Sequence, residues 1–444
     1  MIDIPTTLEA ILDNKQRRAQ KQKELLEHAL DTTFLVSLSI NIPGAIKLSH
    51  EALVIYEIAH AKIVELLSSQ DFTCDAVYPQ IAPTGAEALF TCKGDAKAFK
   101  AITCKVENEH PLGRLMDIDV LDNTGVVLSR RQFGMPKRRC LLCDDEAFLC
   151  ARSQKHSYEA LHHHIRQMVY THAFEASIAL WCERAMTKEV ELTPKPGLVD
   201  KDNSGAHSDM DIDTFYTSIQ AIKPYIALFL RAKPLTFDTL RSVGIMCEKA
   251  MMKATQGVNT HKGMIFCLAL TCGAVATLKV VQKPFTCKAL QQEIQALSCG
   301  LVEKDLIYAK PQSAGARFFY ETGSLGIRGH AQSGFSLIWE GSLPFFEKNK
   351  TLVGEDKALK MTLLWLMERV DDSTLWSRGG LEGLVYVKQK AGEILLHIKH
   401  TPEHLDACLR EFDEDLTKRH LSPGGSADLL ALTWLFAHLS KIVL

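Results

Sequence analysis

Residues 157–190, SYEALHHHIRQMVYTHAFEASIALWCERAMTKEV, decide how this chain divides. Apolar side chains recur there every three or four residues, the period of an amphipathic helix. Downstream the texture continues over 213–232, 235–255, 263–282, 286–307, 356–370, 402–418 and 426–443, separated by short loops rich in Gly, Pro, Asp and Asn. That pattern predicts an all-α second domain of roughly 270 residues, within the size that one core can reach. Upstream the reading changes. A helical period covers Leu8–Leu30, then TFLVSLSIN (33–41) is a short apolar run closed by Pro43-Gly44, a strand and a turn. Residues 51–69 return to helical period, while 86–92, 99–107 and 115–121 are strand-length pieces, so the first third is an α+β mix. No Pro/Gly/Ser linker marks the junction, which falls near 165–175. The expected domains are 1–168 and 169–444.

Composition fits this picture. Of 444 residues, 46% are apolar and 23% charged, which excludes a disordered or collagen-like chain. The 51 basic and 53 acidic side chains leave a net charge of −2, so no nucleic-acid-binding surface is expected and any anion site is local. Thirteen cysteines, an odd number spread through both halves, suit reduced thiols in the cytoplasm. The polar N-terminal stretch carries no apolar h-region, and no uninterrupted apolar run reaches the ~18 residues a membrane span needs.

The chemistry of the first domain centres on Gly113-Arg114-Leu115-Met116-Asp117-Ile118-Asp119-Val120. On a strand, the period of two puts Asp117 and Asp119 on one face. Two carboxylates held together repel unless a cation lies between them, and Mg²⁺ shared with substrate phosphates is the usual answer. Gly113 gives the backbone room to approach a phosphate, and Arg114 neutralises it. The run Arg130–Arg139 adds five cations in ten residues, and solvated surface is its bland reading. Cys140, Cys143, Cys150 and His156 have spacing compatible with zinc. Against that, no second CxxC is present, and cysteine in a helix often serves as a small apolar residue.

In the second domain, TPKPGLVD (193–200) runs into His207, Asp209, Asp211 and Asp213 just before a helix. Helix capping explains one or two of these acids, and the repulsion of the whole group points to metal. The loop GVNTHKG (257–263) precedes a long apolar helix, and a helix start offers N–H groups and a favourable dipole to an anion. GSLGIRGH (323–330) and SPGGSAD (422–428) are built the same way, with Asp371-Asp372 and Arg378-Gly379-Gly380 a weaker instance. Convergence of these loops on one phosphate-binding cleft is the expectation.

These blocks carry a resemblance. LTPKPGLVDKDNSGAHSDMD, GVNTHKG, GIRGHAQSGF and SPGGSADLLA resemble the signature blocks of triphosphoribosyl-dephospho-coenzyme A synthases. SLSINIPG, GRLMDIDV and RRCLLC…CAR…H are similar to holo-citrate lyase synthases. Together they cover nearly the whole chain in the order of the fused, bifunctional CitXG family. Met116 stands where that family carries an aromatic, pointing away from the carboxylates. The resemblance implies a nucleotidyltransferase-like α+β domain followed by an all-α domain, acting in two steps. ATP and 3′-dephospho-coenzyme A would give the 2′-triphosphoribosyl derivative and adenine. That group would then pass to a serine of the citrate lyase acyl carrier protein (γ subunit), releasing pyrophosphate. It further implies that Asp117 and Asp119 hold Mg²⁺ with Arg114 on the leaving pyrophosphate, and that Asp209 and Asp211 hold Mg²⁺ on the triphosphate. Lys195, Asn259, Lys262, Arg328 and the Ser422, Gly424, Gly425 loop would complete the phosphate site. Either His207 or His261 supplies the acid–base group, and the sequence does not choose. Two alternatives stand beside this reading: the same chemistry serving malonate decarboxylase, and a zinc-stabilised N-terminal module that docks the carrier without catalysis.

Overall fold

The computed structural model describes residues 3–27, 30, 32–68, 71–308, 313–399 and 401–442. The ends expected for three helices, at 28–30, 69 and 443, fall wholly or partly outside these residues. The chain forms two compact units, 1–177 and 178–444.

The first unit runs α1 (Leu8–Leu26), β1 (Thr33–Ile40), α2 (His50–Leu67), β2 (Thr73–Ala82), β3 (Gly85–Lys93), α3 (Ala96–Glu109), β4 (Met116–Leu121), α4 (Ala147–Arg152) and α5 (Tyr158–His172). Its strands make one antiparallel sheet in the order β2-β3-β1-β4. The strand period sends Phe34, Val36, Leu38, Phe90, Met116, Ile118 and Val120 into the core. There Phe34 meets Phe99 of α3 at 5.3 Å and Phe90 meets His60 of α2 at 5.1 Å. The α+β expectation holds.

Two details differ from the sequence reading. Residues 99–107 are helix, not strand: Phe99, Thr103 and Glu107, with Lys100 and Cys104, form one buried helical stripe. β2 escaped notice because it is an exposed edge strand interrupted by Pro79, which offers little apolar alternation. α3 in turn closes the outer edge of β4. Glu107 Oε1 accepts the Ile118 N–H at 2.9 Å, and Lys100 Nζ donates to the Ile118 carbonyl at 2.7 Å. These bonds satisfy backbone groups that an edge strand otherwise leaves open.

The second unit begins within α6 (Phe174–Glu191). It continues through α7 (Ile212–Arg231), α8 (Phe237–Ala254), α9 (Lys262–Val280), α10 (Cys287–Leu297), α11 (Ala314–Thr322), α12 (Gly326–Gln332), α13 (Leu343–Val353), α14 (Glu355–Arg369), α15 (Ser373–Ile398), α16 (Leu405–Lys418) and α17 (Gly424–Leu439). No strand occurs among its described residues, as the all-α expectation requires. α9 and α17 are buried almost all round and form the centre. α9 is long and apolar enough to cross a membrane, yet 72% of that window is buried inside the protein.

Here too there are corrections. The single helix read over 157–190 is two, because Ala173 leaves helical geometry (φ −135°, ψ 30°). The stretch 323–330 is not all loop, since α12 begins at Gly326. Arg378-Gly379-Gly380 lies inside α15, where Gly380 (φ 61°, ψ −162°) leaves helical geometry and divides the stretch into two helical pieces.

Candidate active sites

In the first unit, β4 puts Asp117 and Asp119 on the same face of the sheet, opposite Ser39 and Ser37 of β1. Met116, fully buried, points the other way. Burial first, and then Asp117 beside it, lifts the Asp119 carboxyl above the usual carboxylate range. Arg138 lies 3.0 Å from Asp117 and 2.6 Å from Glu107. Arg114 donates to the carbonyl of Arg139 through Nη2, whereas its Nε and Nη1 are buried with no hydrogen-bond partner. Burial, then the neighbouring guanidinium groups of Arg138 and Arg130, pulls the Arg114 pKa below its ordinary value. A paired acidic edge beside a cation cluster with unmet donors suits a divalent ion and a polyphosphate.

Gly113 has a different reason from the one expected. A Cβ there would sit 2.5 Å from the Val106 carbonyl, so glycine permits close packing on the end of α3. Much of the basic run is already neutralised: Arg130 lies by Glu107, Lys137 by Glu146 and Arg139 by Asp144. Cys140, Cys143, Cys150 and His156 come together, their ligand atoms all within 4.8 Å of one another.

In the second unit two of the loops meet. The TPKPG turn meets the loop before α17, where a Cβ on Gly197 would lie 2.3 Å from the Leu421 carbonyl. Asp413 of α16 fixes that turn by accepting the Gly197 N–H and the Asn203 side-chain amide, both at 2.8 Å. His207 Nε2 lies 2.9 Å from Ser422 Oγ and its Nδ1 lies 3.0 Å from Arg378 Nη2. Burial, and then Arg378, pushes the His207 pKa down to about 4, so the ring is neutral near pH 7. With Nδ1 accepting from Arg378, Nε2–H donates to Ser422, leaving the serine O–H for a ligand.

Beneath this lies a buried polar layer. Asp372 caps α15 through the N–H groups of Thr374 and Leu375 and accepts the Ser426 N–H at 2.9 Å. Asp428, in the first turns of α17, occupies the space that a Cβ at Gly263 would fill, 2.0 Å from its Oδ2. Burial, with Glu189 and Asp372 nearby, drives its carboxyl well above the usual range. His261 is 4% exposed, with Nδ1 2.7 Å from Ser218 Oγ. Thr260 donates to the same oxygen, and His261 Nε2 has no partner. Burial, and then Lys195, pushes its pKa down to about 3.

The other candidates separate by depth. Asp209, Asp211 and Asp213 line an open cleft of about 420 Å³ with Thr214, Thr217, Gln256 and Val258. Asp211 also caps α7, its Oδ1 accepting the Thr214 N–H at 2.9 Å, so capping explains part of that acid group. Asp200 serves the backbone, accepting the N–H groups of Lys195, Asp202 and Asn203. Among the described residues the three carboxylates line this open cleft without gathering their oxygens into one ligand cluster. Lys262 and Arg328 are paired with Glu248 and Asp305. Asn259 accepts the Lys262 N–H at 3.3 Å, and Gly424 and Gly425 open α17. Lys195 departs from the phosphate-binding expectation, being 1% exposed with Nζ 2.5 Å from Glu189 in the interior.

Sequence reasoning missed Glu107, Glu189, Ser218 and Asp413. Asp413 had a readable signal, since it interrupts the buried stripe Leu405, Leu409, Phe412, Leu416.

Two family models divide the chain between them. One, described as apo-citrate lyase phosphoribosyl-dephospho-CoA transferase, matches residues 6–172, and one described as ATP:dephospho-CoA triphosphoribosyl transferase matches 175–443. The chain is 35% identical to Protein CitXG of Haemophilus influenzae over 97% of its own length and 96% of that protein's. It is 33% identical, at the same coverage, to Protein CitXG of Leuconostoc mesenteroides subsp. cremoris. A probable 2-(5''-triphosphoribosyl)-3'-dephosphocoenzyme-A synthase of Vibrio cholerae is 43% identical over 58% of this chain and 86% of its own. The chain therefore belongs to the CitXG family of bifunctional transferases, which make the citrate lyase prosthetic group and attach it.

Proposed function

We propose that residues 169–444 join ATP to 3′-dephospho-coenzyme A, and that residues 1–168 transfer the product to a serine of the citrate lyase acyl carrier protein. The family matches at 175–443 and 6–172 support that division of labour. A nucleotidyltransferase-like fold for the first part draws support from the aspartate pair on a strand of an antiparallel sheet. Thirteen cysteines, an odd number spread through both units, support a reducing, cytoplasmic setting.

In the first reaction the 2′-oxygen of dephospho-coenzyme A bonds to the anomeric carbon of the ATP ribose as the bond to adenine breaks. In this reading Arg378 and His207 orient Ser422 so that its O–H meets the triphosphate. Gly424 and Gly425 bring the start of α17 against the same anion. Lys262 and Arg328 exchange their present carboxylates for phosphate oxygens. His261 is the better choice for the departing adenine, because its Nε2 is free while both nitrogens of His207 are engaged. Lys195 acts from the interior, holding Glu189.

In the second reaction the carrier serine oxygen bonds to the α-phosphorus and the bond to pyrophosphate breaks. Arg114 turns its two unmet donors to the leaving pyrophosphate, and Arg138 keeps Asp117 in place. Asp117 with Asp119, and Asp209 with Asp211, are the residues that would hold Mg²⁺, which when bound supplies charge neutralisation on the phosphates.

The observation carrying this reading is that each unit keeps buried nitrogens without partners at these positions, Arg114 Nε and Nη1 in one and His261 Nε2 in the other. The test for the first reaction is incubation with ATP and dephospho-coenzyme A, with free adenine followed by chromatography. Asp209→Asn should abolish adenine release without changing the melting profile, and an active variant removes the metal assignment.

A further inference from the structure

The geometry points to a structural zinc site formed by Cys140, Cys143, Cys150 and His156, which pins the basic segment of the first unit against its aspartate pair. The site itself stands without the proposed reaction, and only its effect on transfer rests on that reading.

The four ligands come from three pieces of backbone. Cys140 and Cys143 occupy the tip of a short hairpin, in which the Cys140 N–H bonds to the Asp145 carbonyl at 2.8 Å and the Ala147 N–H to the Arg138 carbonyl at 2.9 Å. Arg139 and Glu146 pair across it. The Leu142 N–H points at Cys140 Sγ at 3.4 Å, the kind of outer hydrogen bond that orients a thiolate ligand. Cys150 comes from α4 and His156 from the turn before α5.

The separations match a tetrahedral ion. With Zn–S near 2.3 Å and Zn–N near 2.0 Å, ligand atoms lie about 3.5–3.8 Å apart. Here Cys143 Sγ is 4.0 Å from Cys150 Sγ and 3.2 Å from His156 Nε2, with all four atoms inside 4.8 Å. A disulfide requires sulfurs about 2.05 Å apart, which these cysteines do not approach. Four protein ligands close the coordination sphere, so the ion is structural and takes no substrate.

The hairpin's position gives the site its consequence. Its Arg138 reaches Glu107 and Asp117, and the Arg139 carbonyl takes the Arg114 bond. Removing the ion frees the segment that sets Arg114 and Arg138 beside the carboxylates.

The test uses the full chain purified without chelator. Elemental analysis should find about one zinc per chain, released in step with thiol modification by an organomercurial. Cys143→Ser and His156→Ala should each lose the zinc, while Cys287→Ser, at an exposed cysteine elsewhere, retains it. Because ligand variants can fail to fold, cobalt(II) exchanged into the unaltered protein gives an independent reading. Tetrahedral d–d bands with thiolate-to-cobalt charge transfer support the site, and an octahedral spectrum overturns it. Substoichiometric metal that added zinc does not restore overturns it too, as does a Cys143–Cys150 disulfide detected by peptide mass.

Discussion

Arg114 holds Nε and Nη1 buried with nothing to donate to, and each such orphan costs about 1–3 kcal/mol until an acceptor arrives. Arg114→Gln should therefore slow carrier labelling by about 10²–10³-fold, the cost of losing one charge-stabilising donor, and leave adenine release unchanged. Arg114→Lys should recover part of the loss, since it keeps the charge but not the fork. Equal labelling by Arg114→Gln and the parent would remove the arginine from the site. At this scale much was legible. The period of two placed Asp117 and Asp119 together, and the glycine-rich loops marked the helix starts of the second unit. The choice between His207 and His261 was not legible, because it depends on Ser422 and Arg378, some 170 to 215 residues distant in sequence. Lys195 misled for a related reason: its partner Glu189 sits in a helix whose pattern shows no sign of a buried pair.

Helix α3 was the element most easily misread, and the reason is physical. Its buried Lys100 and Glu107 stand at helical spacing but are charged, so the apolar residues left over mimic strand alternation. The same two side chains complete the outer edge of β4, and Glu107 also holds Arg138. Glu107→Ala leaves the Ile118 N–H without its acceptor and the largely covered Arg138 guanidinium with Asp117 alone. We expect a loss of about 3 kcal/mol, the low end for breaking a buried pair, because Arg138 retains some exposure. Denaturant titration of the full chain, followed by a probe in the first unit, checks this. A shift below about 0.5 kcal/mol would mean that α3 does not hold the strand.

At the scale of the whole molecule, one chain carries both transferase activities. The second unit also buries neutral histidines. Burial holds His261 down to about 3, and burial with Lys350 and Arg184 nearby holds His438 down to about 4, despite its bond to the Trp434 carbonyl and the proximity of Glu355. In the unfolded chain an imidazole takes its proton near pH 6.5, so between that pH and the folded values the unfolded state binds more protons. Each histidine therefore removes stability as pH falls from about 6.5, by up to about 1.4 kcal/mol per pH unit, and contributes no slope above it. Asp428, whose carboxyl burial lifts well above the usual range, acts in the opposite sense, so the informative quantity is a difference. His438→Gln should flatten the decline between pH 6.5 and 5 relative to the parent, and parallel curves would contradict the assignment.

The most direct measurement pairs two assays on Asp117→Ala: adenine release from ATP and dephospho-coenzyme A, and labelling of the apo carrier protein by the product. Two centres in one chain predict full adenine release with labelling lost. A variant that stays folded yet loses both activities together would contradict the account.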